Sequence, residues 1–179
     1  MAVPSVMRIE LVNLEHGRAD FAHLYQPDEL GSLDERVRLV EPVDVNGKVR
    51  LAGAEVFVNG HIETRVQVEC DRCLKQVEIP VNAGFDLQYI TGAEYESSAA
   101  AELTEEALSV SVFDGEVIDV DEIVKEQILL AVPTRMLCQP DCKGICPVCG
   151  IDKNTGECEC ETNEVDPRWA ALKNLTSGK

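Results

Sequence analysis

Between residues 37 and 90 apolar and polar positions alternate with a period of two. In Ile-Glu-Thr-Arg-Val-Gln-Val-Glu, residues 62–69, the side chains of Ile62, Thr64, Val66 and Val68 fall on one face, as they must on a half-buried strand whose successive Cβ atoms point to opposite sides. Valine dominates these runs, and its branched Cβ suits a pleated surface better than a helix. Two Asn-Gly pairs, Asn46-Gly47 and Asn59-Gly60, interrupt the pattern; such pairs supply the positive-φ residues of two-residue hairpin turns, so the pattern predicts an antiparallel meander. Cys70-Asp-Arg-Cys73 separates two further alternating runs and is predicted at the tip of another hairpin.

Past residue 90 the period changes. Residues 91–106, rich in Ala, Ser and Glu, hold no stable repeat and predict a flexible loop or a short helix. Residues 109–120 predict a strand pair turning at Asp114-Gly115. The strongest helical signal follows at about 119–132: Asp119 as N-cap with Glu122 three residues on, then Ile123, Val124, Ile128 and Ala131 on one stripe, ending before Pro133. Near the C-terminus Asp166-Pro167 predicts the start of a short helix with Trp169, Leu172 and Leu175 along one side. The fold class expected is α+β: an antiparallel meander or partly closed sheet packed by one main helix, with a zinc-ribbon-like C-terminal segment and a short terminal helix. Residues 1–137 are expected to form the β domain and residues 138–179 the cysteine-rich segment.

At 179 residues the chain is long enough to bury a core without disulfides. Its N-terminus has no basic stretch leading into an apolar one, and charges interrupt every apolar run, so a cytoplasmic location is expected. Eight cysteines in a reducing compartment read as metal ligands before disulfides. The charge narrows the partners. Thirty-three acids against 16 bases give a net charge of -17, which opposes non-specific nucleic-acid binding. Residues 82–132 alone carry twelve acids and one base, Lys125. Such a run is either a solvated face or a surface that steers a basic protein toward it.

Six cysteines lie close together: Cys138, Cys142, Cys146, Cys149, Cys158 and Cys160. Thiolates two residues apart reach one zinc ion because the intervening turn is tight. Cys146-Pro-Val-Cys149-Gly150 has that form, with Pro147 presetting the turn and Gly150 free to take the positive φ that aims backbone amides at sulfur. Cys158 and Cys160, on a regular strand, would face the same side and join that ion, or one of them would be a spectator. The favoured grouping places Cys146, Cys149, Cys158 and Cys160 on one zinc, and Cys70, Cys73, Cys138 and Cys142 on a second that fastens the hairpin tip to the segment after the main helix. The competing arrangement is one zinc in the tail, with Cys70 and Cys73 free. Metal in either form has a purely architectural use, since it supplies folding free energy to a segment poor in core residues. Four thiolates leave no open position for water, which argues against catalytic zinc. Iron fits the same ligands less well, because the sequence displays one knuckle of the required type.

Other chemistry is thinly represented. Cys70 and Cys73 have the oxidoreductase spacing, but the context reads as a β-turn rather than a helix start. His16, His23 and His61 stand apart from any nucleophile or carboxylate pair, and no glycine-rich phosphate loop is present. No enzyme signature emerges.

Taken together, Val-Glu-Cys70-Asp-Arg-Cys73-Leu in a β-rich first half, residues 126–150 ending in Leu-Cys138-Gln-Pro-Asp-Cys142-Lys-Gly-Ile-Cys146-Pro-Val-Cys149-Gly, then Cys158-Glu-Cys160 and the segment 166–175, resemble the YceD family, the large ribosomal RNA subunit accumulation proteins, in its cysteine-rich Gram-positive and actinobacterial form. The resemblance implies a role in accumulating large-subunit (23S) ribosomal RNA, metal binding by the cysteines, and no catalytic residue. Genes of this family commonly neighbour that of a small large-subunit ribosomal protein. The expectation is therefore a non-enzymatic, zinc-containing ribosome biogenesis factor that engages a basic large-subunit ribosomal or assembly protein. The alternatives are a direct RNA-binding module presenting Lys143, Lys153, Arg168 and Lys173 to phosphate, contacting large-subunit rRNA or its precursor, and a thiol redox or metal-sensing switch.

Overall fold

The computed structural model describes residues 7–92, 95, 110–113, 115–160 and 168. The strands are β1 (Arg8–Glu10), β2 (Arg18–Tyr25), β3 (Val37–Leu39), β4 (Val43–Ala52), β5 (Glu55–Glu69), β6 (Gln76–Thr91), β7 (Val110–Phe113) and β8 (Val117–Asp119), followed by helix α1 (Val120–Ala131). Valine-rich alternation becomes strand where expected in β3 to β6, whereas β1 and β2 precede the alternating region. Strands β2, β4, β5, β6 and β7 lie side by side in that order, and β3 pairs with β5 beyond the end of β4. A second sheet contains β1 and β8. Neither sheet closes on itself, so of the two expected forms the partly closed one is absent among the described residues.

The core lies on the face that the alternation selects. Val56, Val58, Ile62, Val66 and Val68 of β5 are buried beside Val43, Val45 and Val49 of β4, and α1 contributes Val120, Ile123, Val124 and Ile128. Each such side chain contributes roughly 1.5–3 kcal/mol by leaving water. Thr64 is the buried polar member of the β5 row, and its hydroxyl donates to the Glu41 carbonyl at 3.2 Å. Asp119 caps α1 as its position predicts, accepting the Glu122 N–H at 3.1 Å. Within the first turn, Asp121 accepts from the Tyr25 hydroxyl at 2.6 Å and from the Met7 N–H at 3.0 Å, tying β2 and the start of β1 to the helix. Burial and that carboxylate push the Tyr25 hydroxyl far above its ordinary range.

Three expectations fail here. Asn46-Gly47 and Asn59-Gly60 are not turns: both lie inside strands, in a row that runs Phe21, Gly47, Gly60, Phe85 across β2, β4, β5 and β6. The rings of Phe21 and Phe85 cover the two glycines, and a Cβ on either would meet ring carbon at 2.5 Å. Glycine is needed there for space, an arrangement in which an aromatic ring shields an otherwise bare strand position. The β4–β5 turn falls instead at Gly53, φ +68, between the paired Ala52 and Glu55. Secondly, β7 and β8 both exist but do not pair: β7 runs parallel to β6, and β8 runs antiparallel to β1. The main sheet is therefore mixed rather than antiparallel throughout. Thirdly, β6 extends through Thr91, the first residue of the expected loop. The helix stripe is buried for the most part, as expected, through Ile123, Val124 and Ile128, while Ala131 in the last turn of α1 is exposed.

The remainder of the 91–106 segment, apart from residues 92 and 95, lies outside the described residues, as does the expected terminal helix apart from Arg168. No helix among the described residues is long and apolar enough to cross a membrane. By its contacts the chain divides into two compact units, one comprising Met1–Glu69 and Gln76–Met136, the other Cys70–Lys75 and Leu137–Lys179.

Candidate metal centres

The second unit holds every cysteine. Cys70-Asp-Arg-Cys73 forms the tip of the β5–β6 hairpin, as its place between two alternating runs predicts. It is more than a β-turn. The Leu74 N–H returns to the Cys70 carbonyl and the Cys70 N–H to the Lys75 carbonyl, both at 2.9 Å. Around Cys146-Pro-Val-Cys149 the same two bonds recur, from the Gly150 N–H to the Cys146 carbonyl at 2.9 Å and from the Cys146 N–H to the Ile151 carbonyl at 2.8 Å. Two knuckles of one design are thus present where the sequence displays one. The second was hidden because the residue after Cys73 is leucine, whereas a knuckle calls for glycine at that point.

Leu74 nevertheless adopts φ +60, matching Gly150 at φ +75. A left-handed non-glycine residue costs roughly 1–2 kcal/mol from contact of Cβ with the following carbonyl. Replacing Leu74 by glycine is therefore expected to stabilise the cysteine unit by about 0.5–1 kcal/mol after the extra chain entropy of glycine is subtracted. Gly150→Leu should destabilise it by about 1–2 kcal/mol for the same reason, since nothing lies within 4 Å of the added Cβ and only the backbone objects. Urea unfolding of both variants checks this; midpoints moving in the same direction would refute it.

The knuckles converge on two groups of four sulfurs: Cys70, Cys73, Cys138 and Cys142 in one, Cys146, Cys149, Cys158 and Cys160 in the other, with the Sγ atoms of each group within 4.8 Å of one another. The structure brings together the same fours that the spacing suggests, and Cys70 and Cys73 do not stand alone. Cys158 and Cys160 reach their group from irregular chain rather than from a strand, and the sulfurs of both lie within the cluster. No histidine belongs to either group.

Distances within the first group identify what it fits. Cys70 Sγ and Cys142 Sγ are 3.8 Å apart, Cys73 Sγ and Cys138 Sγ 3.5 Å. A disulfide would need about 2.05 Å. Zinc–sulfur bonds of about 2.3 Å in a tetrahedron set the sulfurs about 3.8 Å apart. All-thiolate donor sets suit zinc or iron, and four ligands close the coordination sphere. The two groups could each hold one such ion. They differ in shelter: Cys70, Cys73 and Cys142 are buried and Cys138 half-buried, while in the second group Cys146 is buried, Cys158 and Cys160 are half-buried and Cys149 is exposed.

Each group also contains one thiol prepared to ionise first. Burial pushes the Cys70 thiol up, but the N–H groups of Cys73, Arg72 and Cys138 outweigh it and bring it to about 6, from an ordinary 9.0. The N–H groups of Cys149 and Val148 bring Cys146 to about 6. The neighbours move the other way: burial and the sulfurs of Cys73 and Cys142 push Cys138 up to about 12, and its bond with Cys149, then burial, do the same to Cys160. Four thiolates cannot gather at these distances without a cation among them. The pair of a thiol–disulfide catalyst opens a helix, whereas Cys70 and Cys73 sit in a hairpin tip.

Of the four cations in the RNA-binding alternative, Lys143 is exposed and Lys153 half-buried, Arg168 is described and exposed, and Lys173 lies outside the described residues. The sequence reading missed Asn154 altogether. In the loop between Cys149 and Cys158 it looked like ordinary turn chemistry, yet its side chain contacts Cys142 Sγ at 3.4 Å.

A family model described as "Large ribosomal RNA subunit accumulation protein YceD" matches residues 58–176. An uncharacterized protein of Mycobacterium tuberculosis, Rv2926c, is 32% identical over 133 residues, 74% of this chain and 61% of its own length. YlbN of Bacillus subtilis, also named as uncharacterized, is 29% identical over 157 residues, 87% of each chain. The chloroplastic large ribosomal RNA subunit accumulation protein YCED homolog 1 of Arabidopsis thaliana is 31% identical over 58 residues, 32% of this chain and 18% of its own. The matched region thus spans 61% of the mycobacterial relative's length. No solved structure matches.

Proposed function

Because the chain belongs to the YceD family of large ribosomal RNA subunit accumulation proteins, we propose that it is a non-enzymatic ribosome biogenesis factor that supports accumulation of 23S ribosomal RNA and carries a zinc ion in each of its two cysteine groups. The observation that carries this reading is that the family match, residues 58–176, spans all eight cysteines. Zinc in a closed set of four thiolates offers no position to a substrate, so its contribution is architectural: it folds a ribbon-like segment with little core of its own. The protein's work is then done by its surfaces.

Charge indicates the partner. At -17 the chain repels polyphosphate and attracts basic proteins. Glu122 and Glu126 on α1 line an open groove with Tyr89 and Phe113, and burial followed by these two carboxylates pushes the Tyr89 hydroxyl up to about 12. An acidic rim around aromatic side chains suits a lysine- or arginine-rich segment of a large-subunit ribosomal or assembly protein. Neutralising both carboxylates, Glu122→Gln with Glu126→Gln, is expected to weaken binding to such a protein about tenfold at low salt, and far less at high salt, where surface charge is screened. Titration against purified basic large-subunit proteins measures this. Tight binding to ribosomal RNA with none to any basic protein would replace this reading by direct RNA recognition through the cysteine unit and its Lys143 and Lys153.

A further inference from the structure

The loop that closes the second cysteine group reaches into the first. Asn154 lies in the loop 150–157, whose two ends are Cys149 and Cys158, yet its Nδ2 donates to the sulfur of Cys142 at 3.4 Å. Its Oδ1 accepts the Lys143 N–H at 2.8 Å and the Gln139 Nε2 at 3.4 Å, from residues on either side of Cys142. Because a backbone N–H can only donate, Oδ1 must face Lys143 and Nδ2 must face the sulfur, so the amide orientation is determined by its neighbours.

The side chain is also held from behind. Asp152 Oδ1 accepts both the Asn154 Nδ2 at 2.6 Å and the Asn154 backbone N–H at 2.8 Å. The loop in turn is pinned to the stretch between the two groups: the Lys153 N–H donates to the Gly144 carbonyl at 2.9 Å, and Ile145 bridges Asp152. Asn154 therefore stays against Cys142 while the loop keeps its shape, and holding Cys149 and Cys158 together fixes that loop at both ends.

Resting on the metal reading above, we propose that Asn154 is a positioning residue that couples the two centres. An ion in the second group closes the loop at both ends and sets the Nδ2–H on the Cys142 sulfur. That bond draws charge from an anionic four-sulfur set, which raises the affinity of the first group for its ion. By linkage, an ion in the first group raises the affinity of the second by the same factor. Loading is cooperative, and chains carrying one ion are scarce.

The full-length chain, stripped of metal under reducing conditions and given less zinc than its sites require, tests this by native mass spectrometry. In the parent chain the one-ion species should be depleted. In Asn154→Ala it should accumulate, with the squared one-ion population over the product of the ion-free and two-ion populations rising about tenfold. With cobalt in place of zinc, loss of the N–H···S bond should move the sulfur-to-metal charge-transfer band to lower energy, a shift that mere loosening of the fold would not give. Coupling is separated from simple support of the first group by a Cys158→Ser background, in which the second group cannot close: there Asn154→Ala should cost the first group nothing further. Asn154→Asp, which keeps the acceptor for Lys143 but sets a carboxylate on the sulfur, should be at least as severe as alanine. Unchanged populations and an unchanged band in Asn154→Ala would overturn the coupling and leave the metal centres standing. A parent chain that binds no ion at all would overturn the metal reading itself.

Discussion

Replacing Cys142 by serine is expected to lower the metal content of the purified chain from two ions to below one and to unfold much of the cysteine unit, with the valine-rich strands left in place. On the proposed reading Cys142 is one of four ligands to the first ion, and it is fully buried, with its sulfur 3.8 Å from that of Cys70. A serine oxygen is a poor ligand for an ion that favours thiolate, and three remaining cysteines leave the coordination sphere open. The consequence is large because structural zinc supplies about 10–16 kcal/mol of apparent binding free energy. Among the described residues nothing else in this unit replaces it: Val148 and Leu74 are exposed, and the buried residues are chiefly the cysteines themselves. The first unit has its own core in β2, β4, β5, β6 and α1, so its strands do not depend on the ion. Metal-to-protein ratio and amide hydrogen exchange read the two effects separately, with protection lost in residues 70–75 and 137–160 and kept in 43–52 and 55–68. Prolonged chelation of the parent chain should reproduce the exchange pattern. Retention of two ions by the variant would exclude Cys142 as a ligand.

What the sequence made legible was local. The β5 face of Ile62, Thr64, Val66 and Val68 needs only alternation, and the start of α1 needs only Asp119 with Glu122 three residues on. The cysteine grouping was readable because thiol count and spacing leave few ways to assemble two fours. Elements that depend on distant partners were not readable. Strand β7 looked like the first half of a hairpin because β8 follows it directly; that it runs parallel to β6 depends on how the chain between them crosses, which no short pattern encodes. The Cys70 knuckle was obscured by Leu74, whose propensity speaks against the left-handed backbone it adopts. Asn154 was obscured for a different reason: asparagine in a short polar loop already has a turn-forming explanation, and only the fold brings it to a sulfur twelve residues away.

The two Asn-Gly pairs carry the second large effect, since their glycines meet a requirement for space and not for the positive φ of a hairpin turn. Gly60→Ala is expected to destabilise the first unit by about 3 kcal/mol, at the upper end of what overpacking a well-filled core costs. The added Cβ would stand 2.5 Å from Phe85 Cζ and 2.6 Å from the Asn46 carbonyl oxygen. The ring cannot swing aside without opening a buried position, since Phe85 is only 6% exposed, and the carbonyl belongs to β4, whose ladder with β5 runs through Asn46 and His61. Gly84→Ala serves as the control. It lies in β6 opposite His61, the nearest atom to its added Cβ is the Gly60 carbonyl oxygen at 3.9 Å, and it faces away from the core. Its effect should stay within about 0.5 kcal/mol, because an exposed strand position accepts a methyl group without rearrangement. Were these glycines turn residues, Gly60→Ala would be penalised by a positive φ whatever surrounded it, and trimming Phe85 would not help. Because the cause is crowding, Phe85→Leu added to Gly60→Ala should recover part of the loss, leaving the clash with the Asn46 carbonyl. Chemical unfolding of the two single variants and the pair measures the coupling as a double-mutant cycle. A pair whose losses simply add would show that the ring does not set the requirement for glycine.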